Sequence, residues 1–344
     1  RSDESGKNPG ESSRILRGHI FSASQVKTYL RCPLQFFYDR VLRLDADDES
    51  PAALRRGSLL HDVLCATLGD GRLESVDLRD RPRPAWLNDT DALIERALAV
   101  LDAAWSGQAI DLPDGGRYEP KNPMEPHFGP TLQREAVKRW AEGVLRLWAE
   151  LEVEGRGEDA PLRRPILLES SFSFNIGEYL IIGRIDRVDE VMVDGQMVYD
   201  VIDYKTGRAG AESLSAQIKK FLPERPGDEP SDYQLPIYAM AMQHGVGHLQ
   251  VLPHTLTYIN LDRIEKTGRG FRAEAIRSVH LSAHPSVDTK QGLVPADLFS
   301  KMIPDAVHST LDAMSVSPYP AKPGFYCSMC GFRSACSRGR AYGD

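Results

Sequence analysis

The chain has 344 residues, 41% hydrophobic and 26% charged, a balance typical of globular proteins that excludes a wholly disordered, collagen-like or mucin-like chain. Its net charge of −7 excludes attraction of nucleic acid by an overall positive field, so any contact with DNA has to be local. No apolar run approaches the ~20 residues of a membrane span, and we therefore expect a soluble, cytoplasmic protein without a membrane contact.

The first half of the chain is predicted to be helical. Residues 1–18 are rich in Ser, Gly, Glu and Arg and predict a disordered leader or linker. Ser22 has the position of a helix cap. Apolar residues then recur at helical spacing over about 56–69, 90–105 and 131–153.

From Pro165 onward, the spacing of apolar residues changes from that of helices to that of β-strands. Asp194-Gly195 predicts the tight turn of a β-hairpin, because both residue types tolerate positive φ. The predicted strands cover 166–174, 179–190, 197–204 and 250–261, and the predicted helices cover 212–221, 232–243 and 296–314. This order predicts an α/β fold with a mixed central sheet flanked by helices.

Two aspartates are predicted to face each other across the hairpin. Counting outward from Asp194-Gly195 pairs Asp186 with Asp203, and Lys205 points to the same side as Asp203. Opposed carboxylates repel unless a cation lies between them. The pattern therefore favours a Mg²⁺ or Mn²⁺ site. The alternative is a set of ordinary strand-end charges that Lys205 neutralises.

Spacing alone leaves several other polar residues open. His61 lies on an apolar helix face, where a buried core histidine is the alternative to a metal ligand. Gln234 and Tyr238 share one helix face, and core packing of the tyrosine is the alternative there. The spacing of Glu169 indicates no role.

The five cysteines favour metal ligation over disulfides. Cys327, Cys330 and Cys336 lie in one short segment, and Cys32 is the candidate for a fourth ligand. A [4Fe–4S] cluster, zinc and metal-free structural thiols are the three alternatives. Cys65 is expected to be a small buried apolar residue.

Taken together, these segments resemble the PD-(D/E)xK nuclease superfamily, in its RecB/AddB-like branch with an iron–sulfur cluster. The resemblance spans positions 21–336 in family order. It rests on the segments Phe21–Ser24, Tyr29–Pro33, Arg56–His61, Gly183–Asp189, Ile202–Gly207 and Gln234–Tyr238, and on the terminal cysteines.

The resemblance implies a role for each matching residue. The metal ligands would be His61, Asp186, Asp203 and the backbone carbonyl of Tyr204. Lys205 would be the catalytic lysine, with Gln234 and Tyr238 beside it in the active site. The [4Fe–4S] cluster would be bound by Cys32, Cys327, Cys330 and Cys336, joining the two ends of the chain.

The resemblance also implies a domain organisation with a restriction-endonuclease-like core. Residues 19–336 would form a single nuclease domain, followed by a tail at 337–344. Within the domain, 70–165 would be a mainly helical insertion, 166–261 the catalytic sheet core and 317–336 the cysteine-rich cluster segment.

The function implied is that of a Mg²⁺- or Mn²⁺-dependent deoxyribonuclease, favoured as an exonuclease in DNA repair, recombination or end processing. The chain has no Walker-type ATP-binding motif and starts at Arg1, so we expect a helicase subunit or a fused helicase domain as partner. Arg184, Arg187 and Lys219-Lys220 are expected to contact phosphates. The alternatives are a catalytically silent nuclease-fold scaffold that binds DNA and a zinc-stabilised binding module.

Overall fold

The structure is a computed structural model that describes residues 20–44, 51–154, 163–207, 212–222, 229–268, 270–271, 275–282 and 286–340. The predicted leader 1–18 and the last four residues of the predicted tail, 341–344, lie outside the described residues. No helix within the described ranges is long and apolar enough to cross a membrane.

The described chain alternates helical and strand-rich regions. The strands are β1 (Ile20–Ser22), β2 (Val76–Asp77), β3 (Ile110–Asp111), β4 (Arg117–Tyr118), β5 (Arg163–Ile176), β6 (Tyr179–Val193), β7 (Gln196–Lys205), β8 (Thr255–Asn260), β9 (Lys266–Thr267), β10 (Gly270–Phe271), β11 (Ile276–Ser282) and β12 (Leu293–Pro295). The helices are α1 (Ala23–Arg31), α2 (Pro33–Phe36), α3 (Pro51–Leu68), α4 (Thr90–Ser106), α5 (Thr131–Val153), α6 (Leu214–Lys219), α7 (Gln234–His244), α8 (Met302–Met314) and α9 (Ser337–Arg340).

One mixed sheet forms the centre of the fold. Its strand order is β12-β11-β8-β7-β6-β5-β2, and β1 also pairs with β6. The β5–β6 and β6–β7 pairs are antiparallel, whereas β7 and β8 are parallel. The predicted mixed α/β fold is confirmed, although β11 and β12 were not among the predicted strands.

The turn between β6 and β7 sets the register of the central hairpin. Asp194 and Gly195 have φ values of 49° and 77°, so both adopt the left-handed conformation of the predicted turn. The flanking Val193 and Gln196 pair with each other, as counting from the turn predicts. The predicted hairpin and its register are therefore confirmed.

Both faces of the sheet are covered by helices. On one face, α1, α7 and α8 pack over strand residues such as Val201. On the other face, α3, α4 and α5 pack over the next residue of the same strand, Ile202. Because side chains alternate along β7, each core takes every second residue. The sheet therefore separates two apolar layers.

The region between α3 and β5, which was predicted as a helical insertion, contributes to the sheet as well. Its helices α4 and α5 bury residues such as Leu101 and Leu145 in the second core. Its strand β2 pairs with β5 at the sheet edge, with Val76 opposite Leu168. The strand β5 begins at Arg163, ahead of the predicted start at 166.

The close approach of Phe172 to Gly183 provides a test of the hairpin packing. These residues face each other across β5 and β6, and a Cβ at Gly183 would lie 2.8 Å from Phe172 Cε1. We expect Gly183→Ala to lower the free energy of unfolding by about 1–3 kcal/mol, because the ring has to move. Urea denaturation measures the change.

The matched control is Gly143→Ala on α5, where a new Cβ would have no neighbour within 4 Å. This substitution is expected to stabilise the protein by about 0.5–1 kcal/mol, since glycine is unfavourable within a helix. Equal stability of Gly183→Ala and the wild type would contradict the packing described.

Candidate functional site

Glu169 and Asp186 face each other across β5 and β6. Ser170 pairs with Ile185 in this antiparallel pair. Glu169 precedes Ser170 and Asp186 follows Ile185, so Glu169 and Asp186 lie opposite each other. Glu169 is buried and has a φ of 44°, an uncommon conformation for a residue with a side chain. Such backbone strain is frequent at functional sites.

Asp203 extends this line of acidic residues onto β7. Ile202 pairs with Arg187, and one step further along the hairpin Asp203 lies opposite Asp186. The carboxylate of Asp186 also accepts a hydrogen bond of 2.8 Å from the backbone N–H of Tyr204. Glu169, Asp186 and Asp203 together form the carboxylate row.

His61 reaches the carboxylate row from helix α3. Its Nδ1 lies 3.4 Å from Glu169 Oε1 and 3.5 Å from Asp186 Oδ2. The His61 ring also meets Tyr204 edge to face, with 6.2 Å between the ring centres. The apolar face of α3 is buried in the second core, so packing of the helix fixes where the imidazole lies.

Asp203 is held from the opposite face by helix α7 and by Lys205. Gln234 Nε2 and the Tyr238 hydroxyl each donate to Asp203 Oδ1 at 3.0 Å. The amide of Gln234 also donates to the Tyr238 hydroxyl at 2.9 Å. The other oxygen, Asp203 Oδ2, forms an ion pair with the Lys205 ammonium.

The start of α7 is fixed by Asp232. Its Oδ1 accepts the backbone N–H of Gln234 at 2.9 Å, and its Oδ2 forms an ion pair of 2.7 Å with Lys27 of α1. Satisfying a free N–H at a helix start stabilises that end. Asp232 therefore orients Gln234 towards Asp203.

The electrostatics of the site follow from burial and crowded negative charge. Burial contributes most to the raised pKa of Asp186, and the negative charge of Asp203 contributes next. The pKa is raised to about 7. Burial alone would lower the pKa of His61, but Asp186 and Glu169 raise it to about 9. Burial likewise opposes the charged form of Lys205, but the negative charges of Asp203 and Asp186 together outweigh burial and raise the pKa of the lysine. Positive charge is thus favoured throughout the site.

The donor atoms suit a divalent cation. One ligand atom from each of His61, Glu169 and Asp186 lies within 4.8 Å of the others. Carboxylate oxygens suit Mg²⁺ and Mn²⁺, and imidazole is a common metal ligand. Asp203 lies beside this group rather than within it. A doubly charged ion would relieve the repulsion that raises the pKa of Asp186.

Glu169 is the site residue for which the sequence pattern indicated no role. Its second oxygen, Oε2, pairs with Arg184 Nε at 2.6 Å. A signal for its position was present in Gly177-Glu178, the turn between β5 and β6. Counting outward from that turn places Glu169 opposite Asp186. In the same way, counting outward from Asp194-Gly195 places Asp203 opposite Asp186.

Arg187 is buried, and the expectation that it contacts DNA is therefore wrong. Its side chain is 1% exposed, and the guanidinium donates to Asp189, Glu152 and Tyr204. A buried charge requires such partners, because leaving water is costly. Arg187 thus anchors β6 below the carboxylate row.

The cysteine-rich segment lies against the first helices of the described chain. The Tyr326 hydroxyl donates to Arg31 O at 2.7 Å. Burial, together with the nearby thiols of Cys32 and Cys327, raises the pKa of Cys330. Cys65 is buried, as expected. Ligation of a cluster by the four cysteines stays a prediction.

Comparison with known proteins gives a family match and a relative. Residues 20–337 match the family model of the PD-(D/E)XK nuclease superfamily. Over 194 residues, the chain is 25% identical to a subunit of the ATP-dependent helicase/deoxyribonuclease of Carboxydothermus hydrogenoformans. That alignment covers 56% of the chain but 16% of the relative, so the chain spans a small part of the relative's length.

Cation binding is expected to release a proton from His61. At pH 8 the imidazole is mostly protonated in the free protein, because its pKa is about 9, whereas a metal ligand has to be neutral. Affinity for Mg²⁺ should therefore rise with pH up to about 9. Titration of Mg²⁺ in weakly buffered solution, with a pH indicator, should detect close to one proton per ion.

His61→Gln provides the control for that titration, since glutamine does not titrate. Its proton release at pH 8 should be well below that of the wild type, and the remainder would come from Asp186, whose pKa His61 no longer lowers. If the variant and the wild type release the same amount, His61 is not a ligand of the ion.

Proposed function

The chain belongs to the PD-(D/E)XK nuclease superfamily, and on that premise we propose that it is a divalent-metal-dependent deoxyribonuclease. We propose that residues 19–336 form one nuclease domain that hydrolyses phosphodiester bonds, favoured as an exonuclease at DNA ends. The observation that carries this proposal is the carboxylate row with His61 on one side and the Asp203–Lys205 ion pair on the other.

The proposed metal ligands are His61, Glu169 and Asp186, with Asp203 and the Tyr204 carbonyl completing the set. A bound Mg²⁺ or Mn²⁺ would polarise the scissile phosphate and lower the pKa of an attacking water. The protein contributes rigid placement of the donor atoms, because three neighbouring strands carry the carboxylates.

Lys205 is the proposed catalytic lysine. Its ammonium is held by Asp203, and Asp203 is held in turn by Gln234 and Tyr238. A positive charge fixed beside a phosphate stabilises negative charge that develops in the transition state. Orientation of the attacking water is a second role open to the same group.

Arg184 is the proposed phosphate contact. Its side chain is 50% exposed while its Nε is tied to Glu169 at 2.6 Å. A guanidinium offers donors on three nitrogens in a planar fork, which suits phosphate oxygens. This arrangement would place a positive charge at the rim of an otherwise acidic site.

A [4Fe–4S] cluster held by Cys32, Cys327, Cys330 and Cys336 is the proposed structural cofactor. The segment that carries three of these cysteines lies against the end of α1 next to Cys32, where the Tyr326 hydroxyl donates to Arg31 O. Four cysteines are the usual ligand set of such a cluster. Its proposed role is to join the first helices to the end of the described chain.

A helicase is the proposed partner. The relative from Carboxydothermus is named as part of a helicase/deoxyribonuclease. The chain matches a small part of that relative, so ATP-driven unwinding would come from another domain or another polypeptide. Action in DNA repair or recombination is part of the same proposal.

Replacement of Lys205 tests the proposed catalysis. Lys205→Ala should lower Mg²⁺-dependent DNA cleavage by ~100-fold or more, because it removes the fixed charge beside the phosphate. Circular dichroism and thermal melting establish that the variant is folded. The control Lys290→Ala removes an exposed turn lysine and should cleave normally. Wild-type cleavage by folded Lys205→Ala excludes the proposed role.

End-labelled and circular DNA, each single- and double-stranded, distinguish the possible forms of cleavage. An exonuclease degrades linear DNA and leaves circles intact. Cleavage of circles indicates an endonuclease. Binding without cleavage in Mg²⁺ or Mn²⁺ indicates a catalytically silent scaffold and contradicts the enzymatic proposal.

Replacement of a cluster cysteine tests the cofactor. Cys330→Ser should lose the brown absorbance of the cluster and melt at a lower temperature, because the joint between the chain segments is lost. Cys65→Ser is the control: this buried thiol lies outside the cluster, so the variant should keep its colour. A colourless wild-type protein, or a colourless Cys330→Ser with unchanged melting, argues against the structural cluster.

A further inference from the structure

The Lys205 ammonium lies between a carboxylate and an aromatic ring. On one side it forms the ion pair with Asp203. On the other side Lys205 Nζ lies 5.2 Å from the centre of the Tyr258 ring. The lysine side chain is 16% exposed, so both contacts act with little competing water.

Strand pairing places Tyr258 beside the ion pair. Strands β7 and β8 are parallel, and Tyr258 is the register partner of Asp203. Lys205 follows Asp203 by two positions and so points to the same side of the sheet. The ring is 4% exposed and belongs to the first apolar core. Its orientation is therefore fixed by packing.

The contact between ring and ammonium is attractive for an electrostatic reason. The face of an aromatic ring carries negative potential, and a cation within ~6 Å of its centre is drawn to it, more strongly where water is excluded. A lysine side chain has several rotatable bonds and loses rotamer freedom when it is held. The ring and the carboxylate together restrict the ammonium to one location.

We infer that Tyr258 is a positioning residue of the proposed reaction, which restrains the Lys205 ammonium where it acts on the phosphate. This inference rests on the proposed nuclease function. The ring face is the part that matters, so phenylalanine should serve in place of tyrosine. An aliphatic side chain of similar bulk should not.

The first test compares Tyr258→Phe with Tyr258→Leu in steady-state cleavage of DNA with Mg²⁺. The phenylalanine variant should stay within about twofold of the wild type, since it keeps the ring face. The leucine variant should lose about tenfold in kcat, with KM nearly unchanged, because the ammonium acts in the transition state. A loss in Tyr258→Phe as large as that in Tyr258→Leu overturns the inference.

The second test separates the ring's electrostatics from its packing. Phenylalanine with one, two or three fluorine atoms at position 258 keeps nearly the same shape but withdraws the negative potential from the ring face. The logarithm of kcat should fall steadily with each fluorine while the melting temperature stays constant. A kcat independent of fluorination overturns the inference even if Tyr258→Leu is slow.

Lys205→Ala in the same assay distinguishes failure of the catalytic proposal from failure of the inference about Tyr258. If this variant keeps full activity, the proposed catalytic role of Lys205 fails, and the positioning role of Tyr258 fails with it. If Lys205→Ala is inactive and the fluorinated series is flat, the nuclease proposal stands and the inference about Tyr258 is wrong.

Discussion

Repulsion among three carboxylates that two hairpins bring into one row is the constraint on which the site depends. The outer members each have a cationic partner in the protein, Arg184 for Glu169 and Lys205 for Asp203. The central member, Asp186, meets His61 and a backbone N–H. Burial and, next, the charge of Asp203 nevertheless raise the pKa of Asp186 to about 7. The middle of the row is where additional positive charge lowers the energy most.

The two apolar cores position side chains around the carboxylate row from opposite faces of the sheet. Helix α3 belongs to one core and supplies His61, whereas α7 belongs to the other and supplies Gln234 and Tyr238. The long strand β6 takes part in both hairpins, so a single strand aligns the acids of its two neighbours. Shifting either hairpin by one residue would turn a carboxylate to the other face.

Short sequence motifs, such as turns and helix caps, predicted more of the fold and of the site than the overall composition did. The turn at Asp194-Gly195 fixed the register of the hairpin because few residue types accept its backbone geometry. Ser22 caps α1 as expected. Glu169 was missed since its turn at Gly177-Glu178 was not used for counting. Arg187 was wrongly expected to contact phosphate. The sequence around a charged strand residue looks the same whether its side chain faces water or a buried acid. The ring of Tyr258 beside Lys205 depends on parallel pairing of distant strands, which no local pattern encodes.

The location of a bound divalent ion is the most direct test of the proposed metal site. Crystals soaked in Mn²⁺ and measured for anomalous scattering should show a peak bounded by His61, Glu169 and Asp186, at ligand distances of ~2.0–2.3 Å. A crystal with Mn²⁺ at other sites and none beside Asp186, at a pH where that carboxylate is ionised, would contradict the metal-centred mechanism.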